Sequence, residues 1–297
     1  MAKKFKKVAV LMGGPSAEAP VSLRSGAAIA KALRTAGYTV DEVDPKDGAL
    51  TFAADVEAVF IALHGAFGED GVVQQKLGAM NMPYIGSGPE ASRKSLDKLA
   101  SKRVFAAEEI PTPDYEVLTA PGPHTLPLPL VVKPASEGSS IGLHCVRQEA
   151  AWDGALRAAL AHGNPVLVET YIPGRELTVG LLGEEALPVV EIRAPDGWYD
   201  YGAKYTQGRT DYLVPAPLTA EQTARAQALG RRVFQALGCR DLGRVDLRLT
   251  PADELFVLEM NTIPGFTETS LLPKAAAAAG INFVELCDRI MQRASVH

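Results

Sequence analysis

At 297 residues, with 47% hydrophobic, 22% charged and 6% aromatic side chains, the chain has an ordinary globular composition and is not a disordered, fibrous or coiled-coil protein. Its length admits one large domain or two to three small ones, and a net charge of −5 argues against a broad surface for nucleic acid or anionic membrane. Cys145, Cys239 and Cys287 are too few and too scattered for a disulfide framework or a zinc site, and read as small core residues in a reducing compartment.

The lysine-rich start is followed by an apolar run only from Val8 to Met12, shorter than the roughly 7–15 residues a signal peptide needs. No stretch approaches the roughly 18 apolar residues of a membrane helix, so the cytoplasm is the expected location. Lys7 to Leu11 reads as a buried strand broken by Gly13-Gly14-Pro15. Ser22 to Ala36 has helical spacing at Leu23, Ala27, Ile29, Ala30 and Leu33, and Gly37 stops it. Thr39–Val43 and Val56–Leu63 read as strands, so the opening third predicts an α/β unit with a parallel sheet.

A second unit begins near Ser95 with a helix to Ala107, ended by Pro111 and Pro113. Ala120 to Pro129, with four prolines and a glycine, is a loop. Leu130–Val132 and Val166–Glu169 are short strands. Beyond Leu177 strands dominate: Leu177–Leu182, Leu187–Ile192, Arg244–Leu249 and Leu255–Met260. A helix over Ala220–Ala236 interrupts them, and Ala275–Ala279 is a helical segment. The predicted units are 1–94, 95–177 and 178–297.

Chemistry concentrates at a few places. Glu259 and Asn261 alternate onto one strand face, and Asp246 reaches the same place from a neighbouring strand. Two carboxylates and an amide oxygen suit Mg²⁺ that also holds phosphate oxygens. The alternative is a solvated sheet face, which polar residues interrupting apolar strands disfavour. Lys133, at the end of a strand, runs into the loop Gly138-Ser139-Ser140-Ile141-Gly142. Backbone N–H groups and hydroxyls of such a loop suit phosphate oxygens, although no Gly-Lys-Ser/Thr closes it. His64 opens a glycine-rich loop after a strand, where α/β proteins place ligands, although a simple turn reads equally well. Gly13 to Glu18 occupies the same position after the first strand.

Eight segments in order resemble the D-alanine–D-alanine ligases of the ATP-grasp superfamily. They are GGPSAE (13–18), HGAFGEDG (64–71), PYIGSG (83–88), LDK (96–98), VVKPASEGSSIG (131–142), YDYGAKY (199–205), GRVDLRL (243–249) and LEMNTIPGFTETSLLPKAAAAAG (258–280). The resemblance implies a three-domain ATP-grasp architecture, an α/β fold with an N-terminal parallel-sheet domain and ATP between the second and third domains. It implies that Lys98, Lys133 and Ser140 meet nucleotide phosphates, that Glu169 and Ile172 hold the adenine and Glu176 the ribose, and that Lys204 reaches the transferred phosphate. Asp246, Glu259 and Asn261 match magnesium ligands, with two ions expected and Mn²⁺ as a substitute. Glu18 matches the acid holding the first D-alanine's ammonium, with Ser139 and Tyr205 as its hydrogen-bonded partners and His64 nearby. Arg244 and the Gly265 backbone match the groups facing the oxyanion, and Ser270 and Leu271 the pocket for the second carboxylate.

The expected activity is therefore ATP-dependent joining of two D-alanines through an acyl phosphate, for peptidoglycan precursors, by a cytoplasmic homodimer. Alternatives are a ligase taking D-lactate or D-serine second, or a nucleotide-binding relative with weak or lost catalysis. The chain departs from the family at Ala19-Pro20, where a basic residue and a glutamate are usual, so a charge near the first substrate is expected to be missing. Gly202 replaces a common glutamate, and Thr170 a lysine found in some relatives. The segment 199–215 is expected to close over the site when nucleotide and substrate bind.

Overall fold

β1 (Lys7–Leu11), β2 (Thr39–Val43) and β3 (Ala58–Ile61) form a parallel sheet in the order β2-β1-β3 in this computed structural model, which describes residues 3–138, 141–194 and 210–297. β1 and β3 are apolar on both faces because both are covered, whereas the edge strand β2 carries Thr39, Asp41 and Glu42 and is mostly accessible. Val8, Val10 and Phe60 meet Ile29 and Leu33 of α1 (Ala19–Thr35), while Leu11, Val59 and Ile61 meet Val73 and Leu77 of α2 (Val72–Ala79). Helix α1 begins three residues earlier than its apolar spacing suggests. Pro20 falls in its first turn, where the missing N–H costs no hydrogen bond.

The helix expected over Ser95–Ala107 is two helices, α3 (Pro89–Leu96) and α4 (Lys98–Ala107). Asp97 separates them in extended conformation, its carboxylate accepting from the N–H groups of Leu99 and Ala100 as the N-cap of α4. The next sheet is antiparallel, β4-β7-β5-β6, from β4 (Tyr115–Leu118), β5 (Leu130–Pro134), β6 (His144–Val146) and β7 (Val166–Thr170). α5 (Trp152–His162) covers it through Trp152, Leu156 and Ala159.

The largest sheet is also antiparallel. Its strands are β8 (Arg175–Leu182), β9 (Glu185–Ala186), β10 (Val190–Arg193), β11 (Asp211–Leu213), β12 (Leu242–Leu249) and β13 (Leu255–Asn261), in the order β11-β10-β8-β12-β13 with β9 beside β8. Of the strand expected over Leu187–Ile192 only Val190–Ile192 falls in β10; Leu187–Val189 form a break between β10 and the short β9 that precedes them. β11 is paired with β10, so the end of the segment expected to close over the site is fixed in a sheet. α6 (Ala220–Ala236) packs on this sheet and starts with a reciprocal capping box between Thr219 and Gln222. α7 (Leu271–Ala278) and α8 (Phe283–Met291) return to the first sheet, sharing a core with α1 through Leu272, Leu286 and Ile290. The three cysteines are free, with Cys239 and Cys287 buried and Cys145 half-buried. No helix among the described residues is long and apolar enough to cross a membrane.

Candidate active site

A cleft runs between the two antiparallel sheets and under the loops of the first. It holds a smaller cavity of about 100 Å³ and a larger, more polar one of about 310 Å³. Lys98, Glu137 and Glu259 line both, so the two cavities share a wall.

The smaller cavity is bounded by Lys133, Glu169, Ile172 and Glu176, with Lys98 at its edge. Glu169, on β7, is 2% exposed and lies between two ammonium groups: Lys133 Nζ at 2.5 Å from Oε2 and Lys102 Nζ at 2.7 Å from Oε1. Burial alone would raise the Glu169 carboxyl; the two lysines outweigh it and hold the group below the ordinary carboxylate range. Burial also pulls Lys102 below the usual lysine value, Lys133 adds to this, and Glu169 opposes it. Lys102 further donates to Thr112 Oγ1 at 2.6 Å and the Pro113 carbonyl at 2.8 Å. Thr112 Oγ1 in turn donates to the Val257 carbonyl on β13 at 2.9 Å, so the triad is tied to the strand that carries Glu259. Lys98, the first residue of α4, donates from Nζ to the Glu137 carbonyl at 2.5 Å.

β12 forms the floor. Val245, Leu247 and Leu249 enter the core, and Arg244, Asp246 and Arg248 alternate with them. Asp246 stands opposite Glu259 and Arg244 opposite Asn261 in the β12–β13 register. A register shift after Asp246 leaves Leu258 as an extra residue, and both Leu258 and Glu259 reach the smaller cavity. The Asp246 carboxylate accepts from Arg244 Nε and Nη2, each at 2.8 Å, from Thr178 Oγ1 at 2.6 Å and from Asn261 Nδ2 at 3.1 Å. Two carboxylates and one amide oxygen are a hard-oxygen set, too small for a complete cage and suited to an ion that shares its shell with phosphate oxygens and water. To serve such an ion, Asn261 must present its oxygen in place of the N–H₂ it now offers.

The larger cavity is reached by Glu18, His64, Arg244, Gly265, Ser270 and Leu271. Glu18 is the N-cap residue of α1, and its carboxylate lies against Gly65. A Cβ on Gly65, whose φ is +70°, would come within 2.5 Å of Glu18 Oε2, so the approach requires glycine there. His64 Nδ1 lies 3.2 Å from the Ile263 carbonyl, which can only accept, so Nδ1 donates. Its Nε2 meets Ser25 Oγ at 3.2 Å, and the same oxygen accepts from Phe266 N–H at 3.3 Å. One serine of α1 thus ties His64 to the 263–266 turn. Ser270 precedes α7 as its N-cap residue and Leu271 is the first residue of that helix, where backbone N–H groups favour an anion. Arg24 also lines this cavity, so a cation stands on its wall although Ala19-Pro20 supplies none.

Ser139, Ser140, Lys204 and Tyr205 lie outside the described residues, as does Gly202. The Gly13-Gly14 turn stands apart from both cavities: Gly14 N–H donates to Asp44 Oδ1 at 2.8 Å, an internal carboxylate in place of a ligand. Sequence reasoning passed over Lys102, which reads as a surface lysine of a helix, and Arg248. The signal for Arg248 was its place in the charged alternation with Arg244 and Asp246.

Comparison with known proteins agrees along the whole chain. Residues 42–87 match the family model for the D-ala D-ala ligase N-terminus and residues 104–292 that for the C-terminus. The D-alanine--D-alanine ligase of Syntrophotalea carbinolica is 48% identical over 98% of this chain and 97% of its own, and that of Cereibacter sphaeroides 46% over 99% and 97%. Among solved structures, D-alanine--D-alanine ligase from Bacillus anthracis superposes with a TM-score of 0.85 at 34% identity, covering 97% of this chain and 96% of its own. The VanG D-Ala:D-Ser ligase of Enterococcus faecalis gives 0.83 at 27%, covering 97% and 98%. The chain belongs to the D-alanine–D-alanine ligase family.

Proposed function

We propose that the protein joins two D-alanine molecules into D-alanyl-D-alanine at the expense of ATP, supplying the dipeptide for peptidoglycan precursors. The observation that carries this reading is the shared wall of the two cavities: Lys98, Glu137 and Glu259 border both, so a nucleotide in one presents its terminal phosphate to a substrate in the other. The Bacillus anthracis enzyme has also been solved complexed with ATP, and that structure superposes with a TM-score of 0.84 at 31% identity.

A carboxylate is a poor electrophile because oxide would have to leave. A carboxylate oxygen of the first D-alanine attacks the terminal phosphorus, the bond to the bridging oxygen breaks, and ADP departs. Glu18 holds the ammonium of that D-alanine while Lys98 and Lys133 neutralise phosphate charge, with Lys204 and Ser140 in the same role. Asp246, Glu259 and Asn261 would hold magnesium, two ions in this reading and replaceable by manganese, and the ions would supply charge neutralisation to the phosphates. Ser270 and the N-terminus of α7 orient the second D-alanine by its carboxylate. Its amine, having lost a proton, attacks the acyl carbon; Arg244 and the Gly265 N–H face the oxygen that becomes negative, and phosphate leaves. Tyr205 and Ser139 partner Glu18 in ordering the site.

D-alanine is favoured as the second substrate because the curated relatives at 43–48% identity are named D-alanine ligases, whereas the D-serine-forming relative stands at 27%. A cytoplasmic homodimer is the expected assembly, checked by light scattering in solution. The decisive experiment measures ADP release with D-alanine alone and with D-alanine plus D-serine or D-lactate, and identifies the product by mass. ADP and D-alanyl-D-alanine should form only with D-alanine and a divalent ion, Mg²⁺ or Mn²⁺. Equal turnover in excess EDTA or with L-alanine would refute the reading.

A further inference from the structure

Residues 171–176, the connection from β7 of one sheet to β8 of the other together with the first two residues of β8, form one side of the smaller cavity through Tyr171, Ile172 and Glu176. Arg248, 5% exposed on β12, grips this crossover at three points. Nη1 donates to the Gly174 carbonyl at 3.0 Å, Nη2 meets the Tyr171 hydroxyl at 3.4 Å, and Nη1 lies 3.9 Å from Glu176 Oε2. Glu176 is also its direct cross-strand neighbour in the β8–β12 register. The guanidinium lies 5.4 Å from the centre of the Tyr171 ring, and Arg147, just beyond β6 in the other sheet, lies 5.5 Å from the same centre. Arg248 of one sheet and Arg147 beside the other therefore both approach the Tyr171 ring. The seal is tight: Gly174 has φ +127°, and a Cβ there would fall 2.1 Å from the Leu249 carbonyl.

We propose that Arg248 is a positioning residue of the nucleotide subsite, fixing the 171–176 crossover so that Glu176 faces the sugar hydroxyls. This rests on reading the smaller cavity as the nucleotide site. A flexible carboxylate samples many rotamers; one held by a cation, on a backbone pinned at Gly174, presents its oxygens in one place. Arg248 shares its strand face with Arg244 and Asp246, so one alternating row of charges runs from the acyl centre through the phosphates to the sugar.

The test compares binding of ATP and 2′,3′-dideoxy-ATP to the whole enzyme by calorimetry, with Mg²⁺ and without D-alanine. The wild type should prefer ATP by about tenfold or more, the scale of a hydrogen bond to a charged group. Arg248→Leu should narrow that preference to below about threefold, as should Glu176→Gln, and the double variant should add nothing further. Arg248→Lys keeps a cation opposite Glu176 but loses the planar fork, so its preference should fall between. A general structural role would weaken both nucleotides equally and leave the ratio at the wild-type value, which overturns the proposal. A wild-type ratio in Arg248→Lys overturns it even where Arg248→Leu does not fold. If the wild type binds neither nucleotide, the nucleotide reading itself fails, and ADP release with D-alanine reports on that separately.

Discussion

The two ends of the cleft handle charge differently. At the nucleotide end Glu169 is enclosed, and Lys102 and Lys133 neutralise it from within the protein. Towards the substrate end Arg244, on the larger cavity, and Asp246, on the smaller one, neutralise each other. There Arg244 is the cation proposed to face the acyl centre, and the Asp246 carboxylate is held by a hydroxyl, an amide and a guanidinium, partners it would exchange for an ion in the proposed reaction. The first arrangement joins binding to folding, because the charges that shape the pocket also hold a sheet, a helix and the 112–113 loop together. The second joins binding to turnover, because its bonds are the kind that change partner in a reaction. Substitutions at the first end should therefore cost stability, and those at the second should cost rate.

The largest effect is expected from Glu169→Gln. It leaves two buried ammonium groups without their shared counter-ion, a loss of about 3–5 kcal/mol in stability. Urea unfolding at neutral pH measures it. The pH dependence follows from the lowered Glu169 carboxyl. A group whose folded value lies below its unfolded value stabilises fully above the unfolded value, here 4.5, and loses that contribution as pH falls through the folded one. The stability gap between wild type and variant should thus be widest near neutrality and shrink as pH drops below about 4.5. A variant as stable as the wild type would show that the triad does not hold the pocket together.

Glu259→Gln tests the other arrangement, at the wall the two cavities share. The amide keeps the shape and removes the anionic ligand, so turnover should fall on the order of 10²-fold, as when one charge-stabilising group is lost elsewhere. Melting without ligand should stay within about 0.5 kcal/mol of wild type, since Glu259 is only half-buried and faces the cleft. A normal melt with full activity would remove Glu259 from the metal set. A large loss of stability would erase the distinction between the two ends.

This division was partly legible in the sequence. The first sheet was readable because β1 and β3 are continuous apolar runs, and the floor of the cleft because polar residues interrupt the apolar alternation of β12 and β13. Asp246, Glu259 and Asn261 do come together, since the β12–β13 register places Asp246 across from Glu259. The nucleotide end was less legible because its charges are hidden by fold. Lys102 lies on a helix where lysine is ordinary, and only the packing of α4 against β7 gives it Glu169. Likewise the helical period runs unbroken through Leu96-Asp97-Lys98, so only a good N-cap residue in mid-pattern marks the break at Asp97. β4 and β6, of four and three residues, are too short for periodicity to register.

Ser25→Ala should have the smallest effect and divides the cleft most finely. Ser25 is 1% exposed, and its hydroxyl links His64 Nε2 to the Phe266 N–H. Its removal leaves a buried acceptor and a buried donor unpaired, worth about 1–2 kcal/mol of stability. Both partners border the substrate end: His64 lines the larger cavity, and Phe266 follows Gly265, whose N–H is assigned to the acyl oxygen. Their loosening should raise the KM for D-alanine about fivefold, the equivalent of roughly 1 kcal/mol, and lower kcat if Gly265 shifts. The nucleotide end lies across the shared wall and has its own support in Lys102, Glu169 and Arg248, so the KM for ATP should change less than about twofold. Steady-state kinetics with each substrate varied at saturation of the other makes the comparison. If the KM for ATP rises as much as that for D-alanine, the two ends are not independently supported, and the cleft behaves as one cooperative unit in which the buried triad also tunes the substrate side.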